Sequence, residues 1–315
     1  MRLAVLGAGA VGRSVAELAP GRGHEVVGIA DSTSGVVDPD GVDVGAAFDR
    51  KNREGTVGTA DPGAVLAAEY DVLVEATPTT LGDAEPGFGH CRRALDRDRH
   101  VVLANKGPVA ERYRDLRALE RDSDGRVLFG ATVGGAIPVV STVEAFGTGD
   151  VTAVRGVLNG TANFVLSRMT AEGLGYEHVL AEAQDLGVAE PDPSFDVDGI
   201  DAALKCTILA NLLTGGDPEY TLDDAEVEGI RDIPGSALEL AAEDGRTVKL
   251  IGEATAEGVR VGPRLVGAND ALAVSGTRNI VRIETETAGD LAISGRGAGG
   301  PETATAVLAD VDRLR

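Results

Sequence analysis

The chain has 315 residues, a length that fits one or two domains, and 43% of them are hydrophobic, which predicts a folded protein with a sizeable core. Its formal net charge of −22 should repel nucleic-acid phosphates and anionic lipids, so we expect neither as a partner. No apolar run approaches the roughly 20 residues of a membrane span, and we expect no signal peptide.

Lysine and cysteine usage indicates the environment of the protein. Only four lysines accompany twenty-five arginines, and the acidic residues are dispersed along the chain, as in proteins from salt-in halophiles. Molar salt there shortens the screening length to about 3 Å and makes the self-repulsion tolerable. Cys91 and Cys206 form neither a disulfide framework nor a zinc motif, so we expect a reducing, cytoplasmic compartment.

The first elements of the chain predict a dinucleotide-binding fold. Residues 3–12, LAVLGAGAVG, read as a short apolar strand followed by the G-x-G-x-x-G spacing and a helix. In that spacing the first glycine permits a tight turn, the second lets the backbone approach a pyrophosphate, and the third lets the helix pack on the strand. The candidate cofactor-binding residues are Gly7, Gly9, Ala10, Val11 and Gly12.

The next strand ends in an acid that bears on cofactor choice. Asp31 lies nineteen residues past Gly12, where a carboxylate binds the ribose 2′-hydroxyl of NAD and repels the 2′-phosphate of NADP. However, Arg50, Lys51 and Arg53 could fold back onto a 2′-phosphate, or could form a solvated basic loop. The sequence therefore favours NAD and leaves NADP open.

Polar residues follow two further buried strands of the first half. Thr77 comes after a predicted strand over 71–76, and Asn105 and Lys106 come after another over 100–104. Ligands of open parallel sheets gather at the carboxyl ends of the strands, so we expect these three residues at the nicotinamide. Turn formation and helix N-capping are the alternative role for Asn105 and Lys106.

The second half is built differently. Strands over 152–158 and between 248 and 295 lack intervening helices, so they should pair antiparallel. We therefore predict an α/β protein with a Rossmann-type dinucleotide-binding domain at 1–130. An α+β catalytic and dimerisation domain with a largely antiparallel sheet should occupy 131–296, and a helix over 297–315 should return to the first domain.

An acidic segment over 190–205, EPDPSFDVDGIDAALK, carries the strongest chemical signal. Its candidates are Glu190, Asp196, Asp201 and Lys205. Asp201 and Lys205 are four apart and share one helical face with an apolar stripe, so they should point into a pocket; an ordinary surface ion pair is the alternative. Lysine loses its proton near neutral pH when it is desolvated, whereas arginine does not, so the few lysines are candidates for proton transfer.

Two loops of the second half suggest close approach of the backbone to a ligand. Gly160 and Thr161 directly precede a predicted helix over 162–172 and could present N–H groups to an anion, with routine N-capping as the alternative. Residues 130–138, GATVGGAIP, place three glycines in a short loop.

Together these motifs resemble homoserine dehydrogenases, in the short form that lacks a C-terminal regulatory domain. The resemblance is carried by GAGAVG at 7–12, EATPT at 75–79, ANKGP at 104–108, ATVGGAIP at 131–138, GVLNGTANFVLSRM at 156–169, EPDPSFDVDGIDAALK at 190–205 and GRGAGGPETATAVLAD at 295–310. It implies reversible NAD(P)-dependent interconversion of L-aspartate 4-semialdehyde and L-homoserine, in threonine and methionine biosynthesis, by a homodimer. It also implies that threonine does not inhibit through a regulatory domain.

The resemblance also implies roles for particular residues. Lys205 matches the catalytic lysine and Lys106 its partner at the nicotinamide. Further implied sites are the substrate-binding residues Glu190, Asp196, Asp201, Gly160 and Thr161, with Glu190 on the ammonium group, and the backbone carbonyls of Gly130, Val133, Gly135 and Ile137 for a monovalent cation, usually sodium. Gly297 and Gly299 are further cofactor candidates. Val188 stands where some members have tyrosine, so one substrate contact is expected to be missing.

The chemistry of the residues agrees, and two alternatives stay open. A base lysine needs its pKa lowered from about 10.4; Lys106 and exclusion of water would lower it, whereas Asp201 would raise it. An aspartate-semialdehyde dehydrogenase would instead need a nucleophilic cysteine and a phosphate site. A non-enzymatic NAD(P)-sensing module would explain the first half alone.

Overall fold

The computed structural model describes all residues from Met1 to Arg315. They form two compact units, a first unit of Met1–Ala136 with Ala298–Arg315 and a second unit of Ile137–Gly297. The division falls after Ala136, where the sequence predicted it after residue 130. None of the helices combines the length and the apolar composition needed to cross a membrane.

Six strands of the first unit form one sheet in the order β3-β2-β1-β4-β5-β6. They are β1 (Arg2–Leu6), β2 (Glu25–Ala30), β3 (Gly35–Val37), β4 (Val72–Glu75), β5 (His100–Leu103) and β6 (Val127–Leu128). All pairs are parallel except that of β3 with β2 at the edge. The central strands are apolar and buried, as parallel strands covered by helices are. The order reverses between β1 and β4, the switch point at which such sheets bind ligands.

The helices of the first unit alternate with these strands. They are α1 (Ala10–Leu18), α2 (Val44–Glu54), α3 (Pro62–Ala67), α4 (Gly87–Leu95), α5 (Gly107–Glu111) and α6 (Tyr113–Arg121). The sequence predicts one helix over 109–121, but Arg112 leaves the helical conformation and divides it in two. Residues 50–53 lie in α2, so the alternative of a basic loop is wrong.

The second unit has a sheet in the order β12-β11-β7-β9-β10-β8 that is antiparallel apart from the short pair of β8 with β10, which confirms the predicted class. Its strands are β7 (Val151–Val157), β8 (Glu226–Val227), β9 (Arg246–Thr255), β10 (Gly258–Gly267), β11 (Arg278–Thr285) and β12 (Asp290–Arg296). Its helices are α7 (Val139–Phe146), α8 (Gly160–Glu172), α9 (Tyr176–Asp185), α10 (Ser194–Val197), α11 (Ile200–Thr214) and α12 (Gly235–Glu243). The sequence patterns predict neither α7 nor α12.

Helix α11 is the core of the second unit. Every residue from Asp201 to Leu212 is buried, so the predicted inward face is buried and the helix is enclosed on its other sides as well. It packs so closely on β9 that a Cβ on Gly252 would lie 2.6 Å from the Cys206 Sγ. The charged residues at its start are therefore held inside a packed core.

The last helix, α13 (Gly300–Asp312), belongs to the first unit. Its buried residues Ala304, Val307 and Leu308 share one hydrophobic cluster with Leu3 and Val5 of β1. The helix therefore completes the core of the unit that contains the glycine-rich turn.

Candidate active site

The glycine-rich turn has the shape that a dinucleotide requires. Gly7 has a φ of +102°, and a Cβ there would overlap the carbonyl of Ala76, whereas a Cβ on Gly12 would overlap the carbonyl of Gly7. Gly9, by contrast, has nothing within 4 Å of its Cβ position and precedes α1 without a side-chain cap. Open space in front of the N–H groups of α1 fits a pyrophosphate.

The start of α13 lies against the same turn. A Cβ on Gly300 would lie 2.9 Å from the Ala10 carbonyl oxygen and from the Ser14 Oγ. Gly299, a predicted cofactor residue, directly precedes it with a φ of +129°. Gly297, also predicted for the cofactor, belongs to the second unit, where the Asn279 amide fills the space a side chain would need. Gly300 was not recognised in the sequence.

Asp31 lies at the carboxyl end of β2 with a cation beside it. Its Oδ2 accepts a hydrogen bond from Lys51 Nζ at 2.8 Å, and its Oδ1 accepts from the backbone N–H groups of Thr33 and Ser34. Burial acts to raise the pKa of Asp31, but these hydrogen bonds outweigh it and hold the pKa well below its usual range. Arg50 pairs with Glu54 instead, at 3.0 Å.

The carboxyl ends of β4 and β5 bring Thr77 and Asn105 together. Asn105 Nδ2 donates to Thr77 Oγ1 at 3.1 Å, and Asn105 Oδ1 accepts from the Gly107 N–H at 2.9 Å. Lys106 follows, with its backbone N–H 3.4 Å from Thr79 Oγ1. A buried carboxylate that was not predicted, Glu75, joins both Thr77 and Asn105; its signal was an acid at the end of an otherwise apolar strand.

In the second unit, Lys205 and Asp201 form a buried ion pair. Lys205 Nζ lies 2.6 Å from Asp201 Oδ2, and it also donates to the Leu158 carbonyl at 2.7 Å. Both side chains are buried, Lys205 6% and Asp201 7% exposed, so this is not the surface pair of the alternative interpretation. Two of the three ammonium N–H groups are therefore held in place.

Asn159 connects this pair to the acidic segment. Its Nδ2 donates to Asp201 Oδ2 at 2.9 Å and to Asp196 Oδ1 at 2.6 Å, while its Oδ1 accepts from the Ala162 N–H and caps α8. The sequence predicts roles for its neighbours Gly160 and Thr161 but not for Asn159, because its two carboxylate partners are 37 and 42 residues away. One asparagine thus orders two carboxylates around the start of α8.

The remaining substrate candidates lie around the first turn of α8. Gly160 and Thr161 are its first two residues, where backbone N–H groups have no partner within the helix. Thr161 Oγ1 donates to the Val188 carbonyl at 3.1 Å. Glu190 is exposed, and its backbone carbonyl accepts from Gln184 Nε2 at 3.2 Å. The side chain of Glu190 is therefore open to a ligand from solution.

The proposed cation ligands are backbone carbonyls in one continuous loop. Gly130 and Ile137 already accept hydrogen bonds, from the Val133 N–H at 3.4 Å and the Val139 N–H at 2.8 Å. A carbonyl oxygen has two lone pairs, so both keep acceptor capacity. No group of three or more His, Cys, Asp or Glu side chains gathers to hold a metal ion.

The two cysteines do not fit nucleophilic catalysis. Both are fully buried, and burial raises the pKa of each thiol, so neither is a ready thiolate. This is the reverse of what the aspartate-semialdehyde dehydrogenase alternative requires.

The glycine turn leaves open space at Gly9, an acid follows β2, and the second unit contains a buried lysine. A dinucleotide-dependent dehydrogenase needs groups of these three kinds. The family model of homoserine dehydrogenase matches residues 138–311, more than half of the chain. A model of glutamate, leucine, phenylalanine and valine dehydrogenases matches residues 1–80.

Relatives and solved structures agree with the family model. The homoserine dehydrogenase of Methanocaldococcus jannaschii is 36% identical over 99% of this chain and 97% of its own, and the NAD(+)-dependent homoserine dehydrogenase of Pseudomonas canavaninivorans is 36% identical over 98% and 95%. A putative homoserine dehydrogenase from Archaeoglobus fulgidus superposes with a TM-score of 0.92 at 39% identity, covering 100% of this chain and 99% of its own. The chain belongs to the homoserine dehydrogenase family.

Proposed function

We propose that the chain catalyses the reversible NAD(P)-dependent interconversion of L-aspartate 4-semialdehyde and L-homoserine, in threonine and methionine biosynthesis. Family membership supports an NAD(P)-dependent oxidoreductase that acts on an alcohol. The observation that carries the proposal is the buried Lys205–Asp201 pair, which supplies a fixed proton donor in the second unit.

Lys205 is the proposed acid and base. Asp201 and the Leu158 carbonyl hold two of its N–H groups, and the third remains for the carbonyl oxygen of the aldehyde. Lys205 gives a proton to that oxygen as the alcohol forms and takes it back in the oxidative direction. The reduced nicotinamide supplies the hydride that the aldehyde carbon accepts. Lys106 is proposed as the second catalytic lysine, since it directly follows the polar end of β5.

The ammonium and carboxylate groups of the substrate are proposed to bind protein groups of opposite charge. Glu190, which is exposed, is proposed to bind the ammonium group, and Asp196 and Asp201, which share Asn159, to shape the same pocket. The N–H groups of Gly160 and Thr161 are proposed to bind the carboxylate, because the positive end of the α8 dipole favours an anion. The Val188 carbonyl accepts a hydrogen bond from Thr161 Oγ1.

The first unit is proposed to bind the cofactor through the glycine-rich turn, with Asp31 at the adenosine ribose and Thr77 and Asn105 at the nicotinamide. Among solved relatives, a hyperthermophilic archaeal homoserine dehydrogenase was determined in complex with NADPH; its TM-score is 0.85 at 26% identity, and the match covers 99% of this chain and 96% of that one. Lys51 offsets the charge of Asp31, so we propose that this chain accepts both NADH and NADPH.

A homodimer, a monovalent cation at the loop 130–137 and a cytoplasmic location remain proposals. The dimer is proposed on family membership, and the face of the second sheet that carries the linked charges Arg155, Glu253 and Glu284 is proposed as its interface. Light scattering of the wild type and of Arg155→Glu would test it, and a monomeric wild type would contradict it.

The reaction is tested by NADH and NADPH oxidation with L-aspartate 4-semialdehyde in molar KCl. The wild type should turn over, and Lys205→Met should lose about 100-fold or more in kcat while its dissociation constant for NADH stays within twofold. Lys249→Met removes another buried lysine of the same unit and is the matched control; it should keep near-normal kcat. Near-normal kcat in Lys205→Met would remove the proposed acid and base.

A further inference from the structure

We propose that Glu75, held by His90, is a positioning residue that sets Thr77 and Asn105 for the nicotinamide end of the cofactor. The proposal rests on the function proposed above, but it concerns two residues that neither the glycine-rich turn nor the catalytic lysines explain. All four side chains belong to the first unit.

The carboxylate of Glu75 is completely buried at the last position of β4. A buried carboxylate is costly unless hydrogen-bond donors surround it, and an apolar residue would fit the rest of this strand better. The neighbours Val72, Leu73 and Val74 are all buried and apolar. The acid is therefore not required to form the strand, and its hydrogen bonds indicate its purpose.

One carboxylate oxygen of Glu75 accepts hydrogen bonds from the two residues that are proposed to lie at the nicotinamide. Oε1 accepts from the Thr77 N–H at 3.0 Å, from the Thr77 hydroxyl, and from Asn105 Nδ2 at 3.4 Å. Because Thr77 donates its hydroxyl proton to Glu75, its oxygen accepts from Asn105, at 3.1 Å. Glu75 thus fixes the rotamer of Thr77 and one end of the Asn105 amide.

The other oxygen is held by His90 of α4. Oε2 lies 2.7 Å from His90 Nδ1, which donates to the carboxylate, and the imidazole is partly exposed while Glu75 is not. The imidazole therefore connects the buried charge to the surface. His90 lies fifteen residues from Glu75 on another element, so no local motif in the sequence links the two.

Close packing confines the Asn105 side chain of this network. A Cβ on Gly87, the first residue of α4, would lie 2.6 Å from Asn105 Nδ2 and 3.2 Å from the Pro108 side chain. The opposite end of the Asn105 amide is held by the Gly107 N–H at 2.9 Å. Asn105 is thus confined on three sides, and a change at Glu75 is transmitted to Thr77 and Asn105 rather than absorbed.

The same unit contains a matched control. His24 Nε2 lies 3.0 Å from Asp312 Oδ1, so it forms a second histidine–carboxylate pair, in which the imidazole is buried and the carboxylate is partly exposed. His24 precedes β2 at the amino end of the strands, whereas Glu75 ends β4 at the carboxyl end, where ligands bind. Loss of His24 should affect stability without affecting the cofactor.

The test compares Glu75→Gln, His90→Gln and His24→Gln in the full-length protein. The dissociation constant for NADH, from fluorescence of the enzyme–cofactor complex, should rise about tenfold in the first two variants and stay within twofold in His24→Gln. The KM for NADH should rise in parallel, while the KM for L-aspartate 4-semialdehyde stays within twofold. Thermal unfolding of each variant shows how much stability is lost.

A double variant tests whether Glu75 acts through Thr77. If it does, Thr77→Val should weaken NADH binding in the wild type but add little in the Glu75→Gln background. Unchanged NADH binding in Glu75→Gln, or the same loss in His24→Gln, would overturn the proposal. A wild type that binds NADH but does not turn over the aldehyde would contradict the proposed function and leave this binding test intact.

Discussion

The candidate sites of the two units use different kinds of chemical group, backbone groups in the first unit and side chains in the second. In the first unit the glycine-rich turn offers backbone N–H groups. Its shape depends on the absence of side chains at Gly7 and Gly12, whereas the Cβ position of Gly9 faces open space. In the second unit the candidate groups are the side chains of Lys205, Asp201 and Asn159, which hydrogen bonds hold inside a packed core. A site formed by closely packed backbone tolerates few substitutions, because added side-chain atoms clash. A site formed by buried charges loses stability or activity when any one hydrogen-bond partner is removed.

The largest expected effect is a difference in NADH binding and apo stability between substitutions at two glycines of the same turn. Gly12→Ala forces a Cβ onto the Gly7 carbonyl, so it should abolish measurable NADH binding and lower the stability of the apo protein. Gly9→Ala meets open space, so it should weaken NADH binding and leave apo stability unchanged. Calorimetry of the apo proteins and NADH titration check both; equal loss of stability in the two variants would contradict the assignment.

In the second unit, a substitution that removes a charge but keeps the shape of the side chain should lower both activity and stability. Asp201→Asn leaves Lys205 without its carboxylate, so kcat should fall about 100-fold and the free energy of unfolding by about 3 kcal/mol. Steady-state kinetics and urea unfolding measure both quantities. Asp198→Asn is the control, because that acid lies in the same segment and pairs with Arg231; comparable kinetics in the two variants would argue against a role for Asp201.

A third prediction concerns Lys249, which is buried between neutral partners. Its Nζ lies 3.1 Å from both Asn163 Oδ1 and Ser167 Oγ, and burial lowers its pKa from 10.5 to about 8. The unfolded chain then binds more protons between these pH values, so the free energy of unfolding should rise as pH increases from about 8 to 10.5, by up to about 3 kcal/mol. Lys249→Met should flatten that rise; an identical pH dependence in the wild type and the variant would contradict it.

The smallest expected effect concerns cofactor preference in the first unit. Lys51→Ala leaves Asp31 uncompensated, so discrimination against NADPH relative to NADH should increase about tenfold in kcat/KM, which corresponds to about 1.4 kcal/mol. Arg50→Ala is the control, since Arg50 pairs with Glu54 on the same helix. A shift of preference towards NADPH in Lys51→Ala would show that Asp31 does not face the ribose.

Local patterns in the sequence were enough for most of the first unit. The strand, glycine turn and helix over residues 2–18 and the strand ending before Asp31 all lie where periodicity and glycine spacing predict them. Helices α7 and α12 were missed, because α7 has no strong start signal and α12 lies in an acidic stretch without a clear period. The break at Arg112 was missed because no proline or glycine marks it.

The sequence by itself determined the family, the class of fold and the pair of Asp201 and Lys205, because a four-residue spacing within one helix is a local property. Only the tertiary structure decided that α11 is enclosed on all sides and that Asn159 joins Asp196 to Asp201. It also decided that Lys51 neutralises Asp31. The physical reason is that these contacts join residues of different elements, 20 to 42 positions apart in the chain, which meet only when the core closes around them.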